Sequence, residues 1–170
     1  MAAVRGGILC IAAVAVLLLA ACGGSGGGGA TSGTTSSGSQ LSAAQYRAHI
    51  AKIKVEAASA QAHVGAGLQA KSVDDLKKTV DTFAAATQRI GDEVAALNPP
   101  PNAEAANTKL AQGLHDIAIG TRAASAKVAT MKTVQAAISY LEHTRGPVKG
   151  SKEVSSALAK LKQLGYTTGR

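Results

Sequence analysis

Apolar residues recur along this chain at alternating steps of three and four. In one segment Tyr46, Ile50, Ile53, Ala57, Ala60 and Val64 follow steps of 4, 3, 4, 3 and 4. In the next, Val73, Leu76, Val80, Phe83, Thr87, Ile90, Val94 and Leu97 follow 3, 4, 3, 4, 3, 4 and 3. A helix turns once in about 3.6 residues, so this alternation lays one apolar stripe along each predicted helix. A third segment starts at Ala103 and carries Ala106, Leu110, Leu114, Ile117, Thr121, Ala124, Val128, Met131, Val134, Ile138 and Leu141. The last starts at Ser151 and carries Val154, Leu158, Leu161 and Leu164. No two-residue alternation competes as a strand.

Polar residues mark where these helices begin and end. Ser42-Ala-Ala-Gln45 has the capping-box pattern, and Ser72 stands three residues before Asp75. Asn98-Pro99-Pro100-Pro101 stops the second helix, because proline lacks the N–H and disfavours helix in the residue before it. Asn102 is then placed to cap the third. Gly165 falls where a left-handed residue ends a helix, with Tyr166 set to contact Leu161 in a Schellman ending. The third segment meets no breaker before Gly146-Pro147. As one helix it would run about 65 Å, far beyond its partners, so a bend or break is expected around Lys127 to Lys132. The pattern predicts an all-α fold, an antiparallel up-and-down bundle of about four helices spanning residues 41–166, with a tail at 167–170. Its Ala-rich seams imply close helix approach, which leaves little room for a large internal cavity.

The N-terminal 40 residues follow a different plan. Met1 and Arg5 precede an apolar run of 14 residues, Ile8 to Ala21. That length suits a signal-peptide core of about 7–15 residues and falls short of the roughly 20 that span a bilayer. Residues 23–40 then contain no charge and no apolar side chain larger than Ala, so they cannot bury enough surface to offset chain entropy. A Gly/Ser coil of this length has an end-to-end distance of about 25 Å.

Between run and coil stands Leu19-Ala20-Ala21-Cys22, which resembles the bacterial lipobox. The resemblance implies that residues 1–21 are a lipoprotein signal peptide, that Cys22 carries a diacylglyceryl group after cleavage, and that 22–40 is a lipidated tether. Two acyl chains give stable anchoring where one is marginal. Lipobox, tether, Pro-rich loop and the ending Leu161-Lys-Gln-Leu-Gly-Tyr166 together resemble small helical lipoproteins of high-GC Gram-positive bacteria. Those proteins supply no established activity to carry over. The resemblance implies a lipid-anchored protein on the extracytoplasmic face of the cell membrane. Such a chain keeps no free thiol, since Cys10 leaves with the signal and Cys22 is acylated, so its stability rests on packing.

Charge is uneven. From Gln40 to Thr121 eight basic residues face eight acidic ones; from Arg122 on, nine basic residues face only Glu142 and Glu153. Nucleic acid is a poor partner for this excess, because an exported chain with one Phe, three Tyr and no Trp offers few stacking platforms. An anionic envelope surface is a better one, and Lys149, Lys152, Lys160 and Lys162 are the candidate contacts.

Catalytic chemistry finds little support. His49, His63, His115 and His143 have no His, Asp or Glu three or four residues away, so no metal-ligand pair forms within one helix. Most acids have a basic residue one turn away: Glu56 with Lys52, Asp74 with Lys78, Asp81 with Lys77, and Asp92 and Glu93 with Arg89. The glycine run 26–29 precedes neither a helix pattern nor a Gly-Lys-Ser/Thr, so it is no phosphate loop. The expectation is a protein that is no enzyme and has no cofactor and no metal: a tethered interaction or scaffold module whose partner is an envelope protein or anionic polymer. The alternative is a binder of a small solute or cofactor, using a gap at the Pro-rich loop or at the break in the third segment.

Overall fold

The computed structural model describes residues 39–67, 69–143 and 148–167, with the side chains of 66, 67, 148 and 149 left aside. Among the described residues five helices follow one another: α1 Ala43–Gly67, α2 Val73–Ala96, α3 Glu104–Val128, α4 Val134–His143 and α5 Val148–Gln163. A short 3-10 turn, Pro101–Ala103, leads into α3. No strand occurs among the described residues, and the fold is all-α.

The predicted stripes are the buried ones. On α1, Tyr46, Ile50, Ile53 and Val64 are buried; on α2, Leu76, Val80, Thr87, Ile90 and Val94 are. Phe83 belongs to the same stripe but is only partly buried against the main core. The α2–α3 pair makes the most extensive contact, with α1 laid on α2 and α5 on α3. Tyr46, Ile50, Ile90, Val94, Leu110, Ile117 and Leu161 build the main core from all four long helices. A second core, with Leu76, Val80, Val128, Ala137 and Leu141, lies under α4.

The third segment breaks where its length required. α3 ends at Val128, and the next helix starts only at Val134, with Thr133 Oγ accepting the Ala136 N–H at 3.2 Å. The break turns α4 onto the start of α2 and raises the helix count to five. Two of the three forecast N-caps form: Gln45 N–H reaches Ser42 Oγ at 3.3 Å while Ser42 N–H reaches Gln45 Oε1 at 2.9 Å, and Asp75 N–H reaches Ser72 Oγ at 3.0 Å. The Schellman ending also forms, with Gly165 at φ 77°, Tyr166 N–H on Leu161 O at 2.9 Å and Gly165 N–H on Lys162 O at 3.0 Å.

Two expectations need correction. Asn102 does not cap α3, whose N-cap is Ala103 without a side-chain bond; its Oδ1 instead accepts the Tyr166 hydroxyl at 2.8 Å. The last helix starts at Val148, not Ser151.

Candidate functional site

The end of the bundle where residue 40 enters is held together by polar contacts. Leu41 N–H donates to Asn98 O at 2.8 Å and Gln40 Nε2 to Pro99 O at 3.2 Å, tying the entering chain to the Pro-rich loop. Behind them Tyr46, fully buried, donates its hydroxyl to Asn107 Oδ1 at 3.0 Å, and Asn107 Nδ2 donates to Val94 O at 2.9 Å. The Tyr166 ring stands edge-on to Tyr46, centroids 5.1 Å apart and planes at 80°. Burial pushes the Tyr46 hydroxyl well above the ordinary tyrosine pKa, and neighbouring Tyr166 adds to it. α1, the Pro-rich loop, α3 and the turn at Gly165–Tyr166 are thus clasped at one end. The periodicity marked Tyr46 and Tyr166 as apolar contacts; their hydroxyl partners, Asn107 and Asn102, carry no such signal.

Cys22 lies outside the described residues. Lys149 falls in the first turn of α5, its side chain likewise outside them. Lys152, Lys160 and Lys162 are exposed along α5. Lys160 and Lys162 differ by two residues, about 200° of rotation, so they flank the buried Val154–Ala157–Leu161 seam on opposite sides. Both belong to the turn that leads into Tyr166, at the clasped end.

The histidines stand apart from one another. His63 and His143 donate Nδ1–H to the carbonyls of Ser59 and Ser139, one turn back, at 2.8 and 2.7 Å. His115 crosses to α2, its Nε2 2.9 Å from Asp92 Oδ1, an atom that also accepts Gln88 Nε2 at 3.0 Å. Gly91 makes room for that crossing, since a Cβ there would lie 2.5 Å from His115 Cδ2. Asp92 therefore pairs across helices and not with Arg89, as its spacing suggested. Glu93 does keep Arg89, at 3.8 Å, and Glu56 keeps Lys52, at 3.4 Å, while also meeting Arg89 across helices at 3.6 Å. Asp81 accepts both Lys77 Nζ at 2.6 Å and the Ser125 hydroxyl, and these hydrogen bonds, Lys77 first, hold its pKa below the usual carboxylate value. Among the described residues no group of three or more His, Cys, Asp or Glu is placed to hold a metal ion.

A groove of about 530 Å³ lies beside the Pro-rich loop, lined by Pro101, Glu104, Ala105, Thr108, Lys109 and Gln112. All six are exposed, so it is a surface depression along α3 that would leave a small ligand mostly in water. No protein-family model matches this chain, and neither curated proteins nor solved structures give a significant match to it.

Proposed function

We propose that this chain is a lipid-anchored lipoprotein of the extracytoplasmic membrane face whose up-and-down helical bundle acts as a non-catalytic interaction module. The observation that carries it is Leu19-Ala20-Ala21-Cys22 followed by an uncharged Gly/Ser/Thr coil. The antiparallel reading rests on facing residues whose numbers fall on one helix as they rise on the next. Lys52 and Glu56 face Glu93 and Arg89, Asp81 and Asp92 face Ser125 and His115, and Lys109 and Gly113 face Ser156 and Gly150. Among the described residues no helix is long and apolar enough to cross a membrane. Mass spectrometry of the membrane-extracted protein should find acyl-modified Cys22 as its first residue. A Cys22→Ala protein that stays membrane-bound through an intact N-terminus would refute the anchor.

The clasped end supports an orientation for this module on the proposed anchor. A tether entering at Gln40 turns the Pro-rich loop and the last turn of α5 toward the headgroups, within about 25 Å. Lys160 and Lys162 then stand nearest an anionic surface, Lys152 about 12 Å further along the helix. The unanchored domain from Gln40 on should bind anionic vesicles weakly. That binding should fall as salt rises, since exposed charges are screened over about 8 Å at physiological ionic strength. Glutamine at Lys160 and Lys162 should remove more of the binding than glutamine at Lys149 and Lys152. Binding indifferent to all four substitutions would leave these lysines as solvation only.

The second reading, a small-solute binder, draws on the groove beside Pro101. A thermal-shift screen separates the two readings, because a ligand at 100 times its dissociation constant adds about 2.7 kcal/mol.

A further inference from the structure

The outward side of α1 carries a second apolar stripe that nothing in the described structure covers. Ala44, Ala48, Ala51, Val55, Ala58 and Ala62 follow steps of 4, 3, 4, 3 and 4, about 180° round the helix from the buried Tyr46–Ile50–Ile53–Val64 stripe. Five of the six are exposed and Ala58 is half-buried. At its centre Val55 is 70% exposed, one of two large hydrophobic residues so open in the described protein. The stripe spans about 27 Å of a 25-residue helix. α1 is therefore apolar on two opposite sides, as an interior helix is, yet only α2 packs extensively against it.

The charges at the rim of this face decide what can cover it. Arg47 and Lys54 border it on one side and Lys52 on the other; no acid lies on either border. Lys52 is engaged by Glu56 and Glu93 at 3.4 and 3.9 Å, but neither Arg47 nor Lys54 has an ion-pair partner among the described residues. A second copy of the chain would set Lys54 against Lys54 if antiparallel, or Arg47 against Lys52 if parallel. Like charges at rim positions oppose such pairing. A bilayer is a poor occupant, because interfacial helices insert Leu, Phe or Trp and this stripe offers five methyl groups and one Val. Small residues do permit close approach of another helix.

We propose that the outward face of α1 docks a helix of another protein, one with a small-residue apolar seam bordered by acidic side chains. This names a partner for the interaction module proposed above and rests on that reading, but its test does not involve the anchor, which Cys22 mass spectrometry decides separately. The probe is a synthetic helix of three heptads with an alanine seam and glutamate at both rim positions, beside a twin with lysine there. Each is titrated against the full-length protein by fluorescence anisotropy. The acid-rimmed peptide should bind at least tenfold more tightly than its twin, with an affinity that weakens as salt rises. Val55→Lys should lower that affinity at least tenfold and leave the urea midpoint unchanged, since the side chain is exposed. Arg47→Glu with Lys54→Glu should reverse the preference between the twins. Equal binding of the twins, or binding of neither, would overturn the proposal. So would a full-length dimer, or vesicle binding, that Val55→Lys abolishes, since these assign the face to a second copy or to the bilayer.

Discussion

Tyr46→Ala should destabilise the bundle by about 4 kcal/mol, the range of large aromatic-to-alanine losses in a core. Tyr46 is fully buried, its ring meets Tyr166 edge-on, and its hydroxyl occupies Asn107 Oδ1. Truncation opens a cavity between α1, α3 and the chain's last turn and leaves a buried acceptor without its donor. Against a total stability of about 5–15 kcal/mol this is a large fraction. Phe83, the other aromatic of the predicted stripes, is only partly buried, so Phe83→Ala should cost about 2 kcal/mol. Urea unfolding followed by circular dichroism compares the two, and a larger loss at Phe83 would mean that the clasp is not where the core is tightest. Tyr46→Phe keeps the ring and should cost about 1–2 kcal/mol for the unsatisfied Asn107 oxygen. It also has a pH signature. The folded hydroxyl ionises well above the unfolded value near 10, so the unfolded chain loses its proton first as pH rises. Stability from this group is complete below about pH 10 and falls above it at about 1.4 kcal/mol per unit, a slope that Tyr46→Phe removes.

The helices were legible because burial imposes a period. One stripe per helix predicted Tyr46, Ile50, Ile53, Leu76, Val80, Ile90 and Val94 as core, and all are buried. The break after Val128 was legible from length alone. Long-range polar pairing was not: Asn102 reads as a local cap, and nothing nearby in sequence reveals that Tyr166, 64 residues on, takes its oxygen. The Asp92–His115 contact was hidden likewise, since spacing offers Arg89 to Asp92 and reveals nothing across helices. The outer stripe of α1 is a second 4-3 alternation that a reading of one stripe per helix passes over, and periodicity does not tell which of two apolar faces the fold will bury. The basic excess after Arg122 is legible in the sequence; that Lys160 and Lys162 share an end of the bundle with Gln40 needed the fold.

Gly150→Ala should destabilise by about 2 kcal/mol, although alanine is the better helix former by about 1 kcal/mol. Gly150 is buried where α5 crosses α3 at Gly113. A Cβ at 150 would overlap the Gly113 carbonyl oxygen and lie 2.8 Å from both Ile117 N and Ile117 Cγ1. Two of those three atoms are backbone, so no rotamer change relieves the overlap and α5 must move off α3, which places the cost at the upper end of overpacking losses of about 1–3 kcal/mol. The reciprocal Cβ, at Gly113, meets Gly150 O at 2.8 Å, Val154 Cγ2 at 2.9 Å and Glu153 Cβ at 3.0 Å. Gly65→Ala is the control: it is a helical glycine with nothing within 4 Å of an added Cβ, and the change should stabilise by about 0.5–1 kcal/mol. The same methyl group therefore carries opposite signs at two sites, readable as urea midpoints shifted in opposite directions. A Gly150→Ala protein as stable as the parent would show that α5 does not approach α3 so closely. The double variant with Gly113→Ala should lose less than the sum of the two single losses, because residues in contact couple and a helix already displaced has room for the second methyl.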